Sequence, residues 1–149
     1  MKVRIIMDPS PDIIRTSDTF EHLIKILNEV KYHVVFVVDK EEKLVGIVTE
    51  GDIIKVLIPK YVAVDESLIS VMDVNYFERK CRESKNLPIN EIMSKVTFMV
   101  GEEDPIIKAA ALMVMNKIQT IPVVRNGKVV GIVPRLTLIK HITKVLKGA

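Results

Sequence analysis

Phe36-Val37-Val38-Asp39-Lys40-Glu41-Glu42-Lys43-Leu44-Val45-Gly46-Ile47-Val48-Thr49-Glu50-Gly51-Asp52-Ile53 is the stretch whose reading decides the fold. Two short, β-branched apolar runs, Val34 to Val38 and Leu44 to Val48, flank the charged patch Asp39 to Lys43. That pattern predicts a hairpin. Gly46 lies inside the second strand, where the missing Cβ lets a ligand or another backbone come close. Thr49-Glu50-Gly51-Asp52 then forms a polar break before Ile53-Ile54-Lys55-Val56-Leu57. A hydroxyl and a carboxylate three residues apart thus stand where a strand hands over to a helix.

The stretch occurs twice. Val123-Val124-Arg125-Asn126-Gly127-Lys128-Val129-Val130-Gly131-Ile132-Val133 repeats it with one residue fewer in the turn. The offset is 86 residues upstream of the turn (Asp18 to Asp104) and 85 downstream (Gly46 to Gly131). The preceding helices match too, with Asp18 to Leu27 lying over Asp104 to Met113. Two copies make a tandem rather than a solenoid.

The 149 residues suit one domain, two halves sharing a core, and 48% apolar residues suffice to bury it. A net charge of +3 slightly favours a small anionic ligand and is too weak to mark a nucleic-acid surface. Cys81 is the single cysteine, so no internal disulfide forms, and a reducing, cytoplasmic setting is expected. The longest apolar run, Ala109 to Met115, is far short of a membrane span. Met1 to Met7 is too short and too charged for a signal peptide and is expected to form an extra edge strand.

Outward from the hairpin, Ile13-Ile14 reads as a very short strand. Asp18 reads as the N-cap of a helix carrying Phe20, Leu23, Ile24 and Leu27 at helical spacing and ending near Lys31. A helix is expected from about Glu50 to Ile58, stopped by Pro59. Residues 60 to 92 have no counterpart in the repeat. They read as a connector with a short helix capped by Asp65 and a second from Val74 to Lys85, with Tyr76, Phe77 and Cys81 on one stripe. In the second copy, Val96 to Val100 reads as a strand, Asp104-Pro105 as a helix start with proline at the first helical position, and Arg135 to Leu146 as the last helix. The expected division is 1–63, a connector at 64–88, and 89–149. Lys140, His141, Lys144 and Lys147 near the chain end suit a helix dipole and have no aromatic interleaving of a nucleic-acid surface.

Strand-helix-strand-strand-helix, twice, with Gly46-Ile47-Val48-Thr49 and Asp52 after the first hairpin, resembles a pair of CBS (cystathionine β-synthase) domains, a Bateman module. The resemblance covers nearly the whole chain. It implies an α+β fold with a tandem pair of β-α-β-β-α repeats, pseudo-two-fold symmetry and a helical connector. It also implies two related clefts between the repeats, of the kind that take AMP, ADP, ATP or S-adenosylmethionine.

The residues allow that chemistry. The Asp52 carboxylate can accept both ribose hydroxyls, each such bond worth about 1.5–3 kcal/mol. The Thr49 hydroxyl and the free amides of the helix start can meet a phosphate, Gly46 gives room, and Ile47 offers a wall for a purine. Thr49 with Asp52 also fits a capping box, and spacing alone leaves the two readings level. The resemblance favours the ligand site. By position it adds His33, Val34, Ile118, Gln119 and Thr120, with His33 either a phosphate donor or simply solvated. Ile13 and Met99 stand where the family often has a threonine, and Thr97 shares a strand face with Met99 and can substitute.

The second copy departs from the pattern. Gly131-Ile132-Val133 is kept, but Pro134 replaces the threonine and Thr137 the aspartate. Pro134 has neither N–H nor hydroxyl, so this cleft is expected to be empty, weaker, or specific for something else, with Arg135 left as a charge for a phosphate.

No enzyme is expected. His22, His33 and His141 lack metal-ligand spacing, Cys81 has no evident base, and no Gly-rich phosphate loop is present. Enzymes with a CBS pair carry a separate catalytic domain, for which this length leaves no room. The expected role is a homodimeric sensor, paired through the helices near residues 50–58 and 135–146, that controls an unidentified protein. The competing reading is a dimerisation or interaction scaffold with empty clefts.

Overall fold

The computed structural model describes residues 1–148, so Ala149, the end of the expected second repeat, lies outside them. The first repeat contains β1 (Ile13–Arg15), α1 (Phe20–Leu27), β2 (Val34–Val38), β3 (Leu44–Thr49) and α2 (Glu50–Leu57). The connector holds α3 (Lys60–Val64), a 3-10 turn (Glu66–Val71) and α4 (Tyr76–Glu83). The second repeat contains α5 (Ile106–Asn116), β4 (Thr120–Arg125), β5 (Lys128–Pro134) and α6 (Arg135–Leu146). The fold is α+β, as the sequence implies.

β2 lies between β1, which runs parallel to it, and β3, which runs antiparallel. All five residues of β2 are buried, because helices cover one face of the sheet and the other repeat covers the opposite one. Val35 and Val37 face the first core with Leu23, Val48, Ile53 and Ile89. Val34 and Phe36 face across to Ile132 of β5. The period-2 alternation of a strand thus divides β2 between a repeat's own core and the seam joining the repeats.

The second sheet is smaller. β4 and β5 form an antiparallel pair, and the expected strand at 96–100 is reduced to a bridge between Val100 and Val123. The cause is Pro122. In the first repeat Phe36 N–H donates to the Asp12 carbonyl at 2.9 Å. Pro122 occupies the matching position and has no N–H. The bonds Val100 N–H to Pro122 O and Val124 N–H to Val100 O survive, at 3.1 and 2.8 Å.

Residues 1–7 do not form an edge strand. Val3–Ile5 is a 3-10 turn, and Ile89–Glu91 is its counterpart 86 residues on. Val3 is buried in the second core, whereas Ile89 is buried in the first. Each repeat therefore lends its leading turn to the other's core. Asp8 and Ile132 exchange backbone bonds at 2.8 and 2.9 Å, and Ser94 and Ile47 do so at 2.9 Å each.

Several local expectations shift. Thr19, not Asp18, caps α1, accepting from His22 N–H at 3.3 Å, while Asp18 accepts from Arg15 N–H. The helix stops at Leu27, short of Lys31. Pro105 precedes α5 as its cap, one position earlier than expected, and Asp104 holds Gly101 N–H at 2.7 Å. On α4, Tyr76, Lys80 and Cys81 face inward and Phe77 stays 45% exposed.

Candidate functional site

A cleft of about 480 Å³ opens between the repeats. Three segments build it. His33 and Val34 lead into β2, Lys117 to Thr120 lead into β4, and Lys95 to Phe98 cross between the sheets. Ile47 and Thr49 of β3 and the first two residues of α2, Glu50 and Gly51, complete it. Of the residues singled out from sequence, His33, Val34, Ile47, Thr49, Thr97, Ile118, Gln119 and Thr120 line this one cavity.

Gly46 and Asp52 are not among its lining residues. A Cβ on Gly46 would lie 2.4 Å from Met93 Sδ, so the glycine makes room for a methionine side chain. Asp52 lies behind Thr49 in a full capping box. Its Oδ2 accepts from Thr49 N–H at 2.9 Å and from the Thr49 hydroxyl at 3.2 Å. Its Oδ1 accepts from the Ser94 hydroxyl at 2.8 Å. A carboxylate has about four acceptor sites, so three are in use. One ribose hydroxyl could be accepted as the side chains stand, and two would require Ser94 or the Thr49 hydroxyl to rotate away.

Sequence reasoning missed Lys95 and Lys117, the two lysines of the cleft, as well as Tyr32, Val96 and Phe98. Lys95 and Val96 directly precede Thr97, but no local pattern marks them. Lys117 carries a backbone signal. Its φ is +54°, and His33 has φ +59°. Among the described residues, the other non-glycine positions with positive φ, Glu42 and Asn126, sit in the hairpin turns, where that conformation is routine. The two outside such turns both line the cleft. A left-handed L-residue costs about 1–2 kcal/mol, and such strain gathers at functional sites. His33 Nδ1 lies 3.5 Å from Glu50 Oε2 across the mouth, both side chains exposed.

The symmetry-related positions have different chemistry. Pro9 stands for Lys95, Asp12 for Phe98 and Asp8 for Ser94. Burial pushes the Asp8 carboxyl up, but bonds from Ser10 N–H, the Tyr32 hydroxyl and Lys31 outweigh it and leave it below the usual range. Burial, with the Asp8 charge beside it, holds Asp12 above that range. Tyr32 is raised by burial and by its 2.8 Å bond to Asp8. Arg135 N–H donates to the Gln119 carbonyl at 2.9 Å. Thr137 Oγ1 turns back to the Pro134 carbonyl at 2.9 Å. Gly131 is closed by Met7 Sδ and the Asp8 carbonyl, 2.8 and 3.0 Å from a would-be Cβ. Pro9, Asp8 and Pro134 thus stand where the first cleft has Lys95, Ser94 and Thr49, and Asp12 adds a second carboxylate in place of Phe98.

Among the described residues no group of three or more His, Cys, Asp or Glu converges as metal ligands would, and no helix is long and apolar enough to cross a membrane.

The comparisons with known proteins bear on the family and the fold. A CBS-domain protein of Dictyostelium discoideum is 27% identical over 97% of this chain and 93% of its own length. The CBS domain of a membrane protein from Sphaerobacter thermophilus superposes with a TM-score of 0.73 at 30% identity, over 94% of this chain and 86% of that one. The CBS domain pair of protein MJ0100, solved with 5′-methylthioadenosine and S-adenosyl-L-methionine, gives 0.70 at 25% identity over 95% and 99%. The family model described as CBS domain matches residues 3–59 and 89–144. The chain therefore belongs to the CBS-domain family, as a tandem pair.

Proposed function

We propose that the cleft between the repeats binds an adenosine compound with a phosphate, and that the protein is a sensor rather than an enzyme. One observation carries this reading. Lys95, Lys117 and His33 ring the same cavity as the N-terminus of α2 and the apolar side chains of Val34, Ile47 and Ile118. The apolar walls suit a purine. The cations and helix amides suit a phosphate. Asp52 takes a ribose hydroxyl, with Ser94 turning away if both are held. The volume falls in the roughly 300–1,000 Å³ range of small-molecule sites. That MJ0100 holds two adenosine compounds supports the nucleoside part of the proposal. The lysines favour AMP, ADP or ATP over S-adenosylmethionine, whose sulfonium they would repel.

The second cleft, with Pro134, Arg135 and Thr137 beside Gly131, is proposed to bind weakly or not at all, because Asp8 and Asp12 would face the phosphate. The chain is proposed to pair with a second copy, in the cytoplasm, through the outer faces of α2 and α6. Ile54 on α2, Ile58 just past its end, and Leu136, Ile139, Ile142 and Leu146 on α6 stand exposed, and contiguous exposed apolar side chains mark interaction surfaces. Ligand binding would bias the angle between repeats or subunits, and a partner protein would read it.

The test is calorimetric titration with AMP, ADP, ATP and S-adenosylmethionine, alongside Asp52→Ala and Lys95→Ala, with sedimentation to fix the assembly. One site per chain, weakened about tenfold in each variant, is expected. Two equal sites would overturn the assignment of the second cleft. No heat with any ligand, from a folded dimer, would leave the interaction scaffold as the function.

A further inference from the structure

The connector covers only one of the two repeats. In the first, α4 packs on α2, Cys81 rests on the first core, and Leu87 at its exit accepts from Phe20 N–H at 2.8 Å. The matching residue of the second repeat is Met1, whose carbonyl accepts from Ile106 N–H at 3.0 Å. Paired bridges, Thr19 to Pro88 and Lys2 to Pro105, carry the same 86-residue correspondence. α6 is the counterpart of α2. The slot that α4 fills beside α2 therefore has an equivalent beside α6, and among the described residues nothing fills it.

That equivalent is a groove of about 290 Å³. Met1, Ile5, Ile6 and Val145 give it an apolar lining, and Ile5 is 58% exposed. Lys140 and Lys144 add positive charge on either side of His141, and none of the groove's lining residues is acidic. The lining residues of α6 are spaced three and four apart along one face. Ile139, Ile142 and Leu146 lie on the opposite face, so the groove stays free when the outer face is covered.

We propose that this groove docks an amphipathic helix from an acidic partner protein, seated on α6 as α4 is seated on α2. α4 shows that a short helix fills this position of the repeat. α4 of a second copy carries Arg79, Lys80 and Arg82 against Glu78 and Glu83, and its positive excess would meet the lysines of the groove. A helix with acidic flanks meets them favourably. This surface does not depend on the nucleotide cleft.

The probe is a synthetic helix spanning Asn75 to Ser84, stapled on its outer face because a free helix this short is barely stable. In it Arg79→Glu and Arg82→Glu, both on the exposed side of α4, make the flanks acidic. Titrated into the ¹⁵N-labelled full chain, it should shift amides at residues 1–6 and 137–145, the segments that line the groove. The unaltered basic sequence should bind at least about fivefold more weakly, and Lys140→Glu with Lys144→Glu should weaken the acidic probe as much. Both lysines are exposed, so the variant should melt as the parent does. Shifts absent from these segments, equal binding of the acidic and basic probes, or unchanged binding to the double variant would each overturn the proposal.

Discussion

Ser94 Oγ donates to Asp52 Oδ1 at 2.8 Å, joining the leading turn of one repeat to the helix start of the other. The bond occupies the carboxylate oxygen that Thr49 leaves free. Asp52 therefore holds α2 and the 89–94 segment together, and each leads directly into residues that line the cleft, Glu50 and Gly51 on one side and Lys95 on the other. Its second-repeat counterpart, Thr137, has no carboxylate, and the residue matching Ser94 is Asp8, which turns to Tyr32 instead.

Removing each partner should separate capping from binding. Asp52→Ala loses the capping box and should cost about 1 kcal/mol, a fall of roughly 2–4 °C in Tm for a chain of this size. Ser94→Ala should leave Tm within about 2 °C and release Oδ1 to a ribose hydroxyl, so nucleotide affinity should hold or rise. Differential scanning calorimetry and titration of both variants check this. Affinity falling in Ser94→Ala as far as in Asp52→Ala would mean that the carboxylate serves only to brace the fold.

Lys117 should show stability traded for a charge in the cleft. It ends α5 in the left-handed conformation, the place where glycine is usual. Lys117→Gly should stabilise the fold by about 0.5–1 kcal/mol after the extra freedom of glycine in the unfolded chain is deducted. It should also weaken a phosphate-bearing ligand while leaving an uncharged adenosine unaffected. A lower Tm, or equal loss for adenosine and AMP, would contradict the assignment.

Much of this architecture is legible in the chain because its determinants are local. Asp39 to Lys43 and Asn126-Gly127 break two β-branched runs, and the hairpins fall where those breaks require. The misreadings come from contacts between distant segments. The strand at 96–100 is lost through a missing N–H on Pro122, in the neighbouring strand. Val3-Arg4-Ile5-Ile6-Met7 is apolar enough to read as a strand, yet it superposes on Ile89-Asn90-Glu91-Ile92-Met93, and extending the repeat offset by those few residues identifies it as a turn. At the site, the motif points to Thr49, which lines the cleft, and to Asp52, which stands one layer behind. Lys95 and Lys117 arrive from segments that only the pairing of repeats brings together.

The paired glycines should differ in their tolerance of a methyl group. Gly46→Ala would press on Met93 alone, a flexible side chain that can refold into nearby space. Gly131→Ala would also meet the Asp8 carbonyl at 3.0 Å, and that carbonyl accepts from Ile132 N–H, so it cannot retreat without breaking the bridge. Gly131→Ala should cost about 1–3 kcal/mol and Gly46→Ala less, with the lower Tm in the former. The reverse order would show that Met93 is the more rigid neighbour.

Acid should release the N-terminal segment before the rest. The Arg125 guanidinium holds Glu102 below the usual carboxylate range, Lys2 does so for Glu103, and Gly101 N–H with Lys108 does so for Asp104. Carboxyls depressed in the folded state stabilise it fully above their unfolded values and lose that contribution as pH falls through the folded ones. Weakening should therefore set in below about pH 4. These three residues anchor residues 1–5, since Val3 N–H donates to the Asp104 carbonyl and Arg4 N–H to that of Glu102, beside the Lys2 and Arg4 pairs with Glu103. Amide exchange corrected for its intrinsic pH dependence should accelerate at Val3 and Arg4 between pH 5 and about pH 3 while Val35 and Val37 stay protected. Loss of protection at all four together would mean that the N-terminal turn and the first sheet unfold as one unit.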